Sequence, residues 1–182
     1  MIDVSIVIVN YKTPQLILDC LQSVYAHTKG VVFEVIVVDN DSQDNSRAVV
    51  LEQYPAVRWF EMGYNAGFSR ANNLGIDQTK GRNILLLNSD TLLIDDLLTR
   101  LANTLDQQPD VAAVGAMQIN REGDVHYQIY DTFGKIRRHF YITPQSSFFR
   151  NLLQKAIPDT DYDDPNEVGW LSGACIMTRP ST

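Results

Sequence analysis

The chain has 182 residues, enough for one domain with a sizeable core. Its net charge of −7 argues against nucleic-acid binding through a broad basic surface, and a phosphorylated ligand needs local help from a metal, an arginine or backbone N–H groups. Cys20 and Cys175 lie in apolar segments with no CxxC or Cys/His spacing, so they are expected as buried thiols rather than zinc ligands or a disulfide.

Residues 4–9, Val-Ser-Ile-Val-Ile-Val, read as a strand buried on both faces. Thr13 and Pro14 suit the N-cap and first turn of a helix whose buried face carries Leu16, Ile17, Cys20, Leu21 and Val24. A second buried strand over 33–38 ends in Asp39-Asn40-Asp41-Ser42. A helix over 46–54 and a short strand over 57–60 follow. Residues 63–69 form a loop leading to a helix over 70–78, with Ser69 as the expected cap. Residues 84–87 are the next strand, 97–105 a helix capped by Asp95 or Asp96, and 111–114 another strand opening at Gly115.

The region 121–166 mixes aromatics, basic residues and prolines. It reads as an excursion with a hairpin, a short helix near 148–154 and an acidic loop over 159–164. Residues 170–177 return as an apolar strand. Strands and helices alternating at this spacing predict an α/β fold, a mostly parallel central sheet with helices on both faces.

Three strands deliver polar clusters at their carboxyl ends: Asn10-Tyr11-Lys12, Asp39 to Ser42, and Asn88-Ser89-Asp90-Thr91. Open α/β sheets bind ligands at that rim. A carboxylate followed by a hydroxyl there can hold a divalent cation against a phosphate. Taken singly, each cluster also suits a turn or a helix cap, and Asp39 serves a base or an Asx-turn equally well. The stretch from Gly63 to Asn73 lets backbone approach a ligand through its glycines and brings a fixed positive charge at Arg70. It is neither a dinucleotide fingerprint nor a Walker A loop. His27, His126 and His139 have no paired spacing. Ser172 is not in a GxSxG elbow, and Arg137-Arg138-His139 reads as a solvated basic face.

In order along the chain, Val4 to Tyr11, Val37 to Ser42, Asn65 to Asn73, Leu86 to Asp90 and Trp170 to Cys175 together resemble the inverting family-two glycosyltransferases of GT-A-type fold, in particular their rhamnosyltransferase-like branch. The resemblance implies a nucleotide-diphospho-sugar transferase fold, incomplete at its C-terminal end. Residues 1–182 would be the donor-binding portion, with 1–115 the nucleotide-binding half and 116–182 the start of the acceptor-side half.

By the same resemblance, Val9, Asn10 and Tyr11 line the base pocket, Asp39 bonds the base, and Asp41 lies near the ribose. Arg70 lies near the nucleotide or its phosphates, and Trp170, Leu171, Ser172 and Gly173 border the sugar and acceptor. Asn88-Ser89-Asp90 stands for the DXD motif, with Asn88 and Ser89 at the nucleotide and Asp90 on Mg2+ or Mn2+. Asn88 in place of an acidic residue predicts weaker metal affinity. The family's base lies on a Glu-Asp motif further on, so it is expected beyond Thr182 and this chain is expected to bind donor better than it transfers sugar.

The expected partners are a nucleotide-diphosphate sugar, with dTDP-rhamnose favoured by the branch, and a glycan or lipid-linked acceptor. No nucleic acid is expected, and oligomeric state is left open. With no basic leader before Asp3 and no apolar run of membrane-spanning length, the expected location is the cytoplasm, with contact at the inner membrane face left open. A non-catalytic nucleotide-sugar or glycan-binding module is the main alternative. A nucleotidyltransferase would want a glycine-rich basic loop where Asn10 to Pro14 stand, and a haloacid-dehalogenase-like phosphatase would want an Asp-x-Asp pair after its first strand.

Overall fold

The computed structural model describes residues 1–116, 118 and 173–180, which fall in one compact unit. The expected excursion over 121–166 and the predicted site residues Trp170, Leu171 and Ser172 lie outside the described residues. Six strands form one sheet: β1 (Val4–Asn10), β2 (Phe33–Asp39), β3 (Arg58–Glu61), β4 (Asn83–Asn88), β5 (Ala113–Gly115) and β6 (Cys175–Thr178). Their order is β3-β2-β1-β4-β6-β5. β1 pairs in parallel with β2 and β4, and β2 with β3. β6 runs antiparallel between β4 and β5.

Alternation along the strands sends side chains to two cores, as the two-residue period requires. Val4, Ile6, Ile8, Val35, Val37, Leu85 and Leu87 share one core with Ile17, Cys20, Leu21 and Val24 of α1 (Pro14–His27). The same core takes Val50 of α2 (Ser46–Gln53) and Leu98, Leu101, Ala102 and Leu105 of α4 (Leu97–Gln107). On the other face, α3 (Phe68–Ile76) covers Ile36 and Val38 with Ala71 and Leu74. Helices therefore flank both faces, as the pattern predicted. Each fully buried aliphatic side chain contributes roughly 1.5–3 kcal/mol, which makes these two cores the main source of stability.

α3 lies so close to the sheet that a Cβ on Gly75 would stand 2.3 Å from Cγ1 of Val7. Its start corrects one expectation. Ser69 lies inside the helix, and the N-cap is Gly67 at φ 80°, ψ 165°, a region essentially confined to glycine. Thr13 is the N-cap of α1 with Pro14 following, but its side chain makes no cap bond. It points instead to the rim of the sheet.

Candidate donor-binding site at the carboxyl ends of the strands

Register places Asn10 of β1 opposite Asp39 of β2, and Val9 opposite Asn88 of β4. The polar strand ends predicted separately are thus neighbours. Asn10 Nδ2 donates to Asp39 Oδ1 at 2.7 Å and to Ser42 Oγ at 3.0 Å. Ser42 donates its hydroxyl to Asp39 Oδ1 at 2.6 Å and its N–H to Oδ2 at 2.8 Å. The Ser42 hydroxyl also accepts the N–H of Lys12 at 2.8 Å. Thr13 closes the chain of bonds by donating to Asn10 Oδ1 at 2.9 Å and meeting Ser89 Oγ at 3.3 Å.

Ser42 and Thr13 were not among the predicted site residues. The Asp-x-x-Ser spacing of an Asx-type turn was a signal for Ser42. Thr13 had been read as a cap alone.

Asp39 is 5% exposed and receives all three of these bonds from neutral donors. A carboxylate offers about four acceptor positions, so one remains on Oδ2. Asp39 and Asp41 line a cleft of about 250 Å³ whose wall continues through Gln43, Asp44, Arg47, Trp59, Glu61 and Gly63. Trp59 Nε1 donates to Glu61 Oε1 at 2.8 Å, and Arg47 lies 3.6 Å from the same oxygen. Lys12 (φ 56°), Asp41 (φ 70°) and Gln43 (φ 54°) are all left-handed, and all lie in the two loops at this rim. Such backbone costs of order 1–3 kcal/mol per residue and clusters at ligand sites.

On the other side of β1, Asn88 Oδ1 is buried and has no hydrogen-bond partner among the described residues. Its N–H donates to Ala174 O at 2.9 Å, which brings the exposed Gly173 next to this strand end. Asp90 is exposed, and no group of three or more His, Cys, Asp or Glu side chains forms a ready metal site among the described residues. An unpaired amide oxygen, a hydroxyl and one carboxylate are all hard donors. They fit a magnesium-like ion that completes its shell with water and phosphate oxygens.

Val9, Tyr11 and Arg70 do not line the cleft beside Asp39. Val9 is half-buried against the α3-side core. Tyr11 is exposed with Lys12 Nζ 5.2 Å from its ring centre. Arg70 is exposed near the start of α3 and makes no ion pair among the described residues.

The thiols take no part in this chemistry. Burial, then the nearby charges of Asp90 and Cys175, push Cys20 up to about 12, and burial pushes Cys175 up to about 11. Both stay protonated at neutral pH, so neither is a nucleophile.

A largely parallel sheet covered on both faces, with its polar strand ends gathered at one rim, is the architecture of the open α/β domains that bind ligands at that rim. The chain belongs to glycosyl transferase family 2, which matches residues 5–165. Among curated relatives, the low-salt glycan biosynthesis hexosyltransferase Agl10 of Haloferax volcanii is 29% identical over 184 residues, covering 98% of this chain and 53% of that protein. The N-acetylglucosaminyl-diphospho-decaprenol L-rhamnosyltransferase of Mycobacterium tuberculosis is 26% identical over 160 residues, 81% of this chain and 52% of that one. The chain thus spans about half the length of these two relatives.

Solved structures share the fold. TarS 1–349 of S. aureus in complex with UDP-GlcNAc gives a TM-score of 0.58 at 23% identity, over 65% of this chain and 35% of that one. Mannosyltransferase PcManGT from Pyrobaculum calidifontis, in complex with GDP-Man and Mn2+, gives 0.56 at 24%, over 65% and 38%. These likenesses confirm the GT-A-type architecture. Among the described residues, no helix is long and apolar enough to cross a membrane.

Proposed function

We propose that this chain provides the donor side of a glycosyltransferase that moves a sugar, with inversion, from a nucleoside-diphosphate donor to a glycan or lipid-linked acceptor. Residues 1–115 form its nucleotide half and the region from 116 onward begins the acceptor side. The carrying observation is the spacing of two polar centres on strands either side of β1. Asp39 ends β2 and Asn88 ends β4, with β1 between them. Two inter-strand steps set them about 10 Å apart, the reach of a nucleoside diphosphate from its base to its phosphates.

In this pose the base lies beside Asp39 at the ends of β1 and β2, next to Val9, Asn10 and Tyr11, and the ribose lies toward Asp41. The single acceptor position left on Asp39 suits a ring N–H of the base, and the rhamnosyltransferase-like resemblance of the sequence favours dTDP-rhamnose as donor. The phosphates lie toward Asn88, Ser89 and Arg70. Asp90, with Asn88 Oδ1 and Ser89, would hold Mg2+ or Mn2+, which when bound neutralises charge on the departing diphosphate. Arg70 supplies a second, permanent positive charge. Trp170, Leu171, Ser172 and Gly173 border the sugar. Among the described residues, none is assigned the role of the base that takes the acceptor's proton.

The test is a thermal-shift titration with dTDP, UDP and GDP, each with and without Mn2+, on the wild-type chain and Asp90→Ala. A ligand at a hundred times its dissociation constant adds about 2.7 kcal/mol, a readable shift. A metal-dependent shift, largest with dTDP and lost in Asp90→Ala, is expected. A metal-independent shift that survives the substitution favours the non-catalytic binding module. No shift with any nucleotide overturns the donor-site reading.

A further inference from the structure

Asn40 follows directly after β2 and is 5% exposed, yet its carboxamide does not join the Asp39 cluster. Its N–H donates to Asn10 O at 2.8 Å, which fixes its backbone to β1. Its side chain reaches the other way. Oδ1 accepts the N–H of Ala66 at 2.9 Å, and Nδ2 donates to Asn65 Oδ1 at 2.9 Å. Asn65 Oδ1 also accepts the N–H of Gly67 at 3.1 Å. Backbone N–H groups only donate, so they set the orientation of both amides without ambiguity.

Just before the loop, the Met62 N–H donates to Asp39 O at 2.9 Å and the Met62 side chain packs on the α3-side core. Gly63 and Gly67 are left-handed, and the large side chains beside them, Tyr64 and Phe68, are 55% and 50% exposed. Apolar burial therefore does not place the loop, and the buried amide does. The loop leads into α3, whose third residue is Arg70.

We propose that Asn40 is a positioning residue, a latch that ties loop 63–67 to the β1–β2 rim and so sets Arg70 against the diphosphate of the donor. This rests on the donor-site reading above. Asn40 touches no phosphate itself and acts through Arg70.

Two measurements test it on the chain as it stands. The first is hydrogen exchange at Ala66 and Gly67 in wild type, Asn40→Ala, Asn65→Ala and Asn65→Asp. Both alanine variants should exchange at least tenfold faster at these amides. Asn65→Asp keeps both acceptor bonds and should match wild type. Equal exchange in wild type and the alanine variants, or an Asn65→Asp variant as fast as Asn65→Ala, overturns the latch. Asn65 is exposed, so its variants report even if Asn40→Ala folds poorly.

The second is affinity for dTDP against dTMP with Mn2+. Losing one charge-assisted contact is expected to cost about tenfold in dTDP affinity, with dTMP much less affected. Asn65→Ala and Arg70→Ala should each lose this preference, and the double variant should lose no more than either alone. Additive losses, or equal weakening of both nucleotides, overturn the link to Arg70. A wild type that binds neither nucleotide overturns the donor-site reading and Arg70's role with it, while the exchange result still decides the latch.

Discussion

The same strands carry a buried polar cluster at each end, and the two clusters are built in opposite ways. At the amino end, Glu34 of β2 is nearly enclosed. It pairs with Arg58 at 2.9 Å and also accepts the Ser5 hydroxyl at 2.7 Å and the Lys80 N–H at 2.8 Å. Arg58 in turn donates to Gln78 O, and the Gly81 N–H donates to Ser5. Charge meets charge there, so the carboxylate is neutralised within the fold.

At the carboxyl rim, Asp39 is just as buried but meets only neutral donors. Asn88 Oδ1 is unpaired, Asp90 and Arg70 face solvent, and three non-glycine residues are left-handed. The amino end is held by its ion pair, although Asn83 Nδ2 at the start of β4 is buried without a partner among the described residues. The rim keeps open acceptors and strained backbone, which is the condition of a site awaiting a ligand.

The sharpest way to break this contrast is Glu34→Ala. Removing one partner of this half-buried, hydrogen-bonded ion pair should cost about 2 kcal/mol in denaturant unfolding, with the nucleotide-induced shift intact. A loss of nucleotide response without a loss of stability would reverse the roles of the two ends. Gly67→Ala should cost about 2 kcal/mol from backbone alone, since a Cβ there meets nothing within 4 Å. It should also weaken dTDP binding, because the start of α3 would shift.

Asp39→Asn turns an amide N–H toward the Ser42 donors and should cost about 1–2 kcal/mol together with most nucleotide affinity. Calorimetric unfolding and titration read both effects. If stability falls while affinity stays, Asp39 is only a turn residue.

The acid limb gives a finer test. Burial alone would raise the Glu34 carboxyl, but the Ser5 hydroxyl, the Arg58 guanidinium and the Lys80 N–H outweigh it and hold the group below its ordinary value of 4.5. Its contribution is therefore full above that value and is lost as pH falls through and below it. Tm measured down to pH of about 3 should drop less steeply in Glu34→Gln than in wild type. An equally steep fall would place the acid sensitivity elsewhere. The smallest expected effect is that of Asn88→Asp. A second carboxylate at the metal position should tighten Mn2+ binding in the presence of dTDP a few-fold, read by calorimetry. Unchanged affinity would exclude residue 88 from the metal shell.

Much of the molecule was legible in the sequence because it is written in local periods. Apolar runs announced β1, β2 and β4, the 3.6-residue stripe announced α1 with Ile17, Cys20, Leu21 and Val24 buried, and polar residues after those runs marked the rim. That much depends only on neighbouring residues. Cross-strand facts do not. Whether Asn10 lies beside Asp39, whether Glu34 meets Arg58, and whether Thr13 caps its helix or bridges to Ser89 depend on register between segments tens of residues apart.

The same holds for β6. Its apolar character was plain, but its antiparallel insertion between β4 and β5, which sets Ala174 O against Asn88 N, follows from pairing alone. The cap of α3 passed from Ser69 to Gly67 for a related reason. Hydrogen bonds from Asn40 and Asn65 hold the loop in a conformation that only glycine adopts, and local capping preference gave way. The sequence determined which residues could make a donor site, and only the sheet's register decided which of them touch.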